Sequence, residues 1–305
     1  MGNKLVLTGV TGPKSGGVLV EYISQHLDAI KDFFPGGITI ICRNTSKTER
    51  IEKLLPSADI KRGSFLDSGF LIDALDSADT VVHLAGIQRS KELVQAAVVK
   101  KVHRLILIHT TGIYSKYKAA GEEYRNIDNY VEVLCNQNSI KLTILRPTMI
   151  YGNVHDNNVV HFIKMVDRLP IMPVVNGARY GLQPVHYKDL GKAYYDVLMH
   201  EEQTANQNYT LSGGEAIQLR DMLAFIGECL GKKVKFISCP FWIAYTGACI
   251  IHAVSFGRID YREKVQRLCE PRVFSYEKAN KDFGYSPRTF REGVIEEIKE
   301  YKELK

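Results

Sequence analysis

The sequence predicts an α/β fold: a doubly wound parallel sheet with helices on both faces, followed by a smaller C-terminal α/β part. Three observations predict it. Short β-branched runs alternate with amphipathic stretches through the first half, a glycine-rich turn follows the first run, and the alternation breaks down after Pro147. Near-continuous apolar strands between helices are what a parallel sheet buried on both faces requires.

Taken in order, Lys4–Val10 reads as a strand and Gly17–Ile30 as a helix, then Gly37–Cys42 as a strand and Ser46–Leu55 as a helix. Ile60–Gly63 is a short strand, Gly69–Leu75 a helix, Thr80–Ala85 a strand and Ser90–Lys100 a helix. Arg104–His109 and Lys141–Leu145 are strands separated by a helix over Tyr117–Asn136. The short connections fit right-handed βαβ units. Beyond Pro147, Val185–Met199 reads as one more strand and helix returning to the sheet. Tyr209–Leu211, Leu219–Leu230 and Val234–Ile237 read as pieces of the smaller domain, and Arg291–Leu304 as a charged amphipathic helix. The expected division is residues 1–170 as the nucleotide-binding domain, rejoined by 181–204, with 171–305 mostly substrate-binding.

Composition narrows the function classes. The 305 residues carry 40 Lys+Arg against 34 Asp+Glu, a formal charge of +6, with 45% hydrophobic and 24% charged residues. That is the make-up of a globular chain with a large core. The mild positive charge suits anionic ligands such as phosphates. Without a basic stripe interleaved with aromatics it does not point to nucleic acid. No pair among the six cysteines makes a C-x-x-C, and no Cys/His cluster has zinc spacing, so a reduced, cytoplasmic setting without metal is expected. Phe236–Gly257 is mostly apolar, but Pro240, Ser238, Thr246, His252 and Ser255 interrupt it. A spanning helix needs about 20 apolar residues, so the run reads as a buried substrate-domain helix or lid rather than a membrane segment.

The turn after the first strand reads Thr8-Gly9-Val10-Thr11-Gly12-Pro13-Lys14-Ser15-Gly16-Gly17. Glycines between the first strand and helix of a βαβ unit let the backbone approach a pyrophosphate, which the helix N-terminus then binds through its free N–H groups. This is a Rossmann pattern with a one-residue insertion, which brings Lys14 near the phosphates. The second strand ends in Ile41-Cys42-Arg43-Asn44, with no acid to hold a ribose 2′-hydroxyl. Arg43, helped by Lys47 and Arg50, is placed to pair with a 2′-phosphate, which favours NADP while leaving NAD open.

Val81-Val82-His83-Leu84-Ala85-Gly86, Leu145-Arg146-Pro147-Thr148-Met149-Ile150-Tyr151-Gly152, Gln183-Pro184-Val185-His186-Tyr187-Lys188-Asp189 and Phe283-Gly284-Tyr285-Ser286-Pro287-Arg288 occur in that order. With the glycine loop they resemble, over essentially the whole chain, the extended short-chain dehydrogenases/reductases, in particular the NAD-dependent epimerases and dehydratases of nucleotide sugars. The resemblance implies a dinucleotide held by Gly9, Thr11, Gly12, Lys14, Ser15 and Gly16. Phe65 and Leu66 would lie at the adenine, Leu84, Ala85 and Gly86 beside the cofactor, and Pro147 and Thr148 near the nicotinamide. It also implies a small-molecule substrate such as a nucleotide sugar, contacts to it from Arg179 and Tyr180, and homodimerisation of the kind common in these enzymes.

The same resemblance implies a Tyr with a Lys four residues on, whose charge lowers the Tyr pKa, and a Ser or Thr that polarises the reacting oxygen. Thr110 and Thr111 end the fifth strand, and Tyr124 lies on the next helix. Asp128 stands where the Lys is expected. A carboxylate one turn from Tyr124 disfavours a tyrosinate. The literal Tyr114-x-x-x-Lys118 falls in the loop before the helix, where Lys116 or Lys118 would have to fold back over the site. Two function classes therefore stay open: an NAD(P)-dependent reductase, epimerase or dehydratase, or a catalytically impaired NADP(H)-binding sensor or scaffold. His83, His186 and His252 read as structural.

Overall fold

The computed structural model describes residues 3–117 and 119–305. Its first half runs β1 (Lys4–Thr8), α1 (Ser15–Gln25), α2 (Leu27–Phe33), β2 (Ile38–Cys42), α3 (Glu49–Leu54), β3 (Asp59–Arg62), α4 (Ser68–Ala74), β4 (Ala78–His83), α5 (Ser90–Val99), β5 (Arg104–Ile108), α6 (Gly121–Gln137) and β6 (Lys141–Pro147). The second half continues with β7 (Ile150–Tyr151), α7 (Val159–Arg168), β8 (Met172–Val175), β9 (Gly181–Leu182), β10 (Val185–His186), α8 (Tyr187–Met199), α9 (Glu201–Thr204) and β11 (Asn208–Leu211). After these come β12 (Ile217–Gln218), α10 (Leu219–Cys229), β13 (Phe236–Cys239), α11 (Phe241–Val254), α12 (Arg262–Leu268), α13 (Glu277–Phe283) and α14 (Phe290–Glu303).

Seven strands form one sheet in the order β11-β6-β5-β4-β1-β2-β3, and every neighbouring pair is parallel. The order reverses between β1 and β4, and in open parallel sheets such a reversal leaves a crevice beyond the strand ends. One face of the sheet buries Leu5, Leu7, Ile40 and Ile106 against Leu19 and Ile23 of α1 and Leu190 and Tyr194 of α8. The other buries Val6, Ile41, Val81 and Leu105 against Leu71 of α4, Leu93 of α5 and Val131 of α6. Alternating residues of each strand thus point to opposite helical layers. Gly191 lets α8 lie close on α1, since a Cβ there would stand 2.4 Å from Val18 Cβ.

A third core, around Ile163, Met172, Met222, Ile226, Phe290 and Val294, holds α7, β8, α10 and α14 together. Two placements differ from the sequence reading. Tyr209–Leu211, read as part of the smaller domain, is instead the seventh strand of the main sheet, where Tyr209 pairs with Leu145. Conversely, α7 packs with the C-terminal elements rather than with the sheet. The predicted helix over 17–30 breaks at His26, whose ring Nδ1 lies 2.9 Å from the Tyr22 carbonyl. The helix expected from Tyr117 starts at Gly121, because the preceding loop is held elsewhere: Ser115 and the Lys116 N–H both donate to Glu270.

Among the described residues, no helix is long and apolar enough to cross a membrane. The apolar run forms β13 and α11, but the expected burial of α11 does not occur. Of the residues of that helix, Ala248 is the buried one, while Trp242, Ile243, Ile250, Ile251 and Val254 are exposed.

Candidate active site

A cavity of about 590 Å³ opens at the C-terminal ends of β1, β4, β5 and β6, at the reversal in strand order. One wall is built from the first half of the chain: Lys14 and Ser15 where α1 begins, Leu84 and Gly86 after β4, His109 to Gly112 after β5, Tyr124 of α6, and Pro147 and Thr148 at the end of β6. The facing wall comes from far along the chain and includes Asp156, Gln183, Arg267, Glu270, Arg272 and Phe274. Thr110, Thr111, Tyr124, Lys14, Ser15, Leu84, Gly86, Pro147 and Thr148 are thereby gathered around one space.

The glycine loop divides into two kinds of position. Gly9 adopts φ +72°, and a Cβ there would meet the Leu84–Ala85 backbone at 2.5–2.7 Å. A Cβ at Gly16 would stand 2.7 Å from the Gly9 carbonyl. Both glycines are demanded by the protein's own packing, whatever binds. Gly12 differs: a Cβ there would have nothing within 4 Å. The helix N-terminus begins at Ser15 with Lys14 as its cap residue, and no side chain caps it. Its first N–H groups and the partial positive end of α1 are therefore available to an anion. Thr11 lies within this turn, before α1.

Arg43 is exposed just beyond β2. The loop it heads is organised by Arg62 of β3, which donates to the Ser46 carbonyl at 2.8 Å and to Thr48 Oγ1 at 2.6 Å. Arg50, read as a helper, is tied instead to Glu21 of α1 at 2.5 Å. Phe65 is part of the core, its ring 5.6 Å from that of His83, whereas Leu66 is exposed. Ala85 is half-buried and packs against the same core.

The two threonines differ in what they can do. Thr110 Oγ1 accepts from the Gly112 N–H at 3.0 Å, which leaves its own proton to donate. Thr111 donates to the Pro147 carbonyl at 3.2 Å, and Thr148 to the Gln183 carbonyl at 2.5 Å. Gly112 lies between Thr110 and Tyr124: a Cβ there would sit 3.3 Å from Thr110 Oγ1 and 3.5 Å from the Tyr124 ring. Gln88 Nε2 donates to the Tyr124 hydroxyl at 3.2 Å.

Asp128 is turned away from this hydroxyl and into the protein. It accepts from His109 Nδ1 at 2.5 Å and from Arg146 Nη2 and Nε at 2.6 and 3.2 Å, while Ser90 Oγ lies 2.9 Å from His109 Nε2. Burial works against the carboxylate, but the hydrogen bond and charge of His109 and the charge of Arg146 outweigh it and hold its pKa below the usual range. The Asp128 carboxylate is therefore paired with the Arg146 guanidinium and hydrogen-bonded by His109. Residue 128, where a lysine was expected, is thus part of a buried polar array behind the cavity wall.

Lys116 does not line the cavity, and its backbone is held by Glu270. Lys118 lies outside the described residues. Tyr114 lines the cavity with its ring 5.6 Å from Phe274. Arg179 and Tyr180 do not line it; the arginines that do are Arg267 and Arg272. The Nε of each is buried without a hydrogen-bond partner. Burial and then the charge of Arg267 push the Arg272 pKa down to about 10, the mark of a crowded cationic corner. Both arginines, and Gln88, were missed from sequence. His83 and His186 are structural as expected: burial drives each to a pKa of about 3, and His83 Nδ1 lies 2.7 Å from Thr8 Oγ1.

No known family's sequence profile matches the chain, and no curated protein sequence matches it. Solved structures do. The crystal structure of gox2253 superimposes with a TM-score of 0.78 at 19% identity, covering 99% of this chain and 98% of that one. DesIV, a dTDP-glucose 4,6-dehydratase from Streptomyces venezuelae solved with NAD and TYD bound, gives 0.71 at 16% identity over 98% and 97%. The UDP-glucose 4-epimerase of Thermotoga maritima, solved with UDP-glucose, gives 0.70 at 16% identity over 99% of both chains. The class is thus defined at the level of fold: a Rossmann-like parallel sheet with an added C-terminal lobe. More particularly, it is the architecture shared by the dehydratase and the epimerase just named, matched along essentially the whole chain.

Proposed function

We propose that this protein is an NAD(P)-dependent reductase, epimerase or dehydratase of the extended short-chain type, acting on a nucleotide sugar or a similar anionic carbonyl compound, with NADP preferred. The observation that carries the reading is the single cavity in which an uncapped α1 N-terminus, Thr110, Tyr124 and the two arginines of the far wall converge. The residues fit a dinucleotide. The open space at Gly12 and the free N–H groups of α1 suit a pyrophosphate, exposed Arg43 suits a 2′-phosphate, and Leu84, Gly86, Pro147 and Thr148 would flank the remainder.

The bound dinucleotide would supply the hydride donor or acceptor. Tyr124 would hold and move the proton at the reacting oxygen, and Thr110, whose hydroxyl proton is uncommitted, would donate a hydrogen bond to the same oxygen. Arg267 and Arg272 would draw the phosphates of an anionic substrate into the cavity. The Asp128–Arg146 pair with His109 would keep this part of α6 rigid and offset the negative charge behind Tyr124.

The test is dinucleotide binding by titration together with hydride transfer across a panel of nucleotide sugars and aldehydes. Tyr124→Phe should abolish turnover and leave dinucleotide binding intact, and retained turnover would sink the Tyr124 assignment. The replacement of the expected Lys by Asp128 favours the second reading, a sensor or scaffold. Tight NADP binding with no turnover on any member of the panel would support that reading instead.

A further inference from the structure

We propose that the exposed face of α11 is a docking surface for an anionic lipid bilayer, on which the protein lies without crossing it. From Phe236 to Gly257 there is no Asp, Glu, Lys or Arg. The structure does not bury this run. Trp242, Ile243, Ile250, Ile251 and Val254 occupy one side of α11, with Trp242 68% and Val254 73% exposed, and Phe256 stands at its end 93% exposed. Single exposed apolar residues are ordinary, but a contiguous set of this kind marks an interaction surface. A helix of 14 residues is about 21 Å long, too short for a hydrocarbon core of about 30 Å but suited to lying at the interface. Tryptophan at the edge of such a face is where an amphipathic ring prefers to sit.

Charge identifies the occupant. Residues 230–265, which contain this face, hold six Lys and Arg against two Asp and Glu, and so carry four of the chain's net +6. Lys233 and Lys235 are exposed just before β13, and Arg258 and Lys264 just beyond the helix. Basic residues flanking an apolar face are the pattern that anionic headgroups attract. The same charge argues against a second copy of the chain. A two-fold contact would place this basic segment against itself, and like charges would face one another across it. The surface is also continuous with the cavity wall, because α11 packs on α12, whose Arg267 lines the cavity.

Trp242 is the only tryptophan in the chain, so its fluorescence reports on this face alone. The full-length protein is mixed with phosphatidylcholine vesicles, or with vesicles of equal parts phosphatidylcholine and phosphatidylglycerol, and followed by emission and co-sedimentation. With the anionic vesicles Trp242 emission should shift to the blue and the protein should sediment, and raising the salt should reduce both. Phe256→Glu should lower partitioning by more than about tenfold, and Lys233→Glu with Arg258→Glu should lower it selectively on the anionic vesicles. Each of these residues is exposed, so far-UV circular dichroism should be unchanged in the variants. Absence of sedimentation and of any shift at low salt would overturn the proposal, as would binding that Phe256→Glu leaves intact. A lipid-independent shift with protein concentration, accompanied by dimerisation that Phe256→Glu abolishes, would also overturn it in favour of a second copy. The proposal is independent of the enzymatic reading, since dinucleotide binding is not a readout.

Discussion

Replacing Asp128 by Asn tests the reading of the buried array behind Tyr124. The change keeps the side chain's shape and removes its charge, leaving the Arg146 guanidinium buried with Glu132, 3.8 Å away, as its remaining acidic neighbour. Breaking a buried ion pair by removing one partner costs about 3–5 kcal/mol. Because the Asn carbonyl can still accept one hydrogen bond, the expected loss is about 2–4 kcal/mol. At roughly 2–4 °C per kcal/mol for large domains, the midpoint of thermal unfolding should fall by about 4–16 °C. Urea unfolding followed by far-UV circular dichroism gives the free energy; Trp242, on an exposed helix, is the wrong probe. The pH dependence has a defined sign. Asp128 is held below its ordinary pKa, so its contribution is present above about pH 4 and disappears as the pH falls through the folded-state value. Wild type and D128N should therefore differ at pH 7 and converge in acid. Replacing both partners, as Asp128→Asn with Arg146→Met, should recover much of the loss. A D128N protein within about 0.5 kcal/mol of wild type at pH 7 would refute the reasoning. Asp128→Lys, the change that restores the expected motif on paper, would set a second buried cation beside Arg146 with no carboxylate between them and should prevent folding rather than activate the site.

Other expectations follow from the geometry. Gly9→Ala should destabilise the protein by about 3 kcal/mol with or without ligand, since its Cβ meets backbone and its φ is positive; Gly12→Ala should leave stability unchanged and weaken dinucleotide binding, as calorimetry and titration would show. Arg43→Ala should raise the Kd for NADP by about tenfold or more while changing that for NAD little, and an equal effect on both would remove Arg43 from the 2′-phosphate. Glu297 is buried beside Asp156, and burial followed by that neighbouring charge pushes its pKa up to about 9. The folded state thus holds a proton that the unfolded state releases near pH 4.5, so stability should decline as the pH rises from about 4.5 towards 9. Glu297→Gln should flatten that decline in a series of melting curves, and an unchanged slope would show that Glu297 is not its source.

The strands of the main sheet up to Pro147 were readable because each is a local pattern: a β-branched run, a turn, an amphipathic helix. Tyr209–Leu211 was misplaced because its partner, β6, lies some 60 residues earlier and nothing in a three-residue apolar run names it. Thr110, Thr111 and Tyr124, singled out through the family resemblance, do line one cavity. The acidic residue at position 128 was readable too, but its partners were not, because His109 and Arg146 meet it only once β5, β6 and α6 are packed. Arg267 and Arg272 carry no local signature and reach the cavity through the fold of the C-terminal segment.

The late arrival of β11 bears on how the chain is made. Strand β6 lies beside β5 on one side and waits for Asn208–Leu211 on the other. Until residue 211 has been synthesised, β6 is an uncovered edge with a row of unpaired N–H and C=O groups, and an open strand edge invites pairing with another nascent chain. A fragment ending near residue 170 would carry that edge permanently. The practical boundary of the sheet-bearing unit therefore lies beyond Leu211, and recombinant fragments that stop short of it should aggregate where longer ones stay in solution.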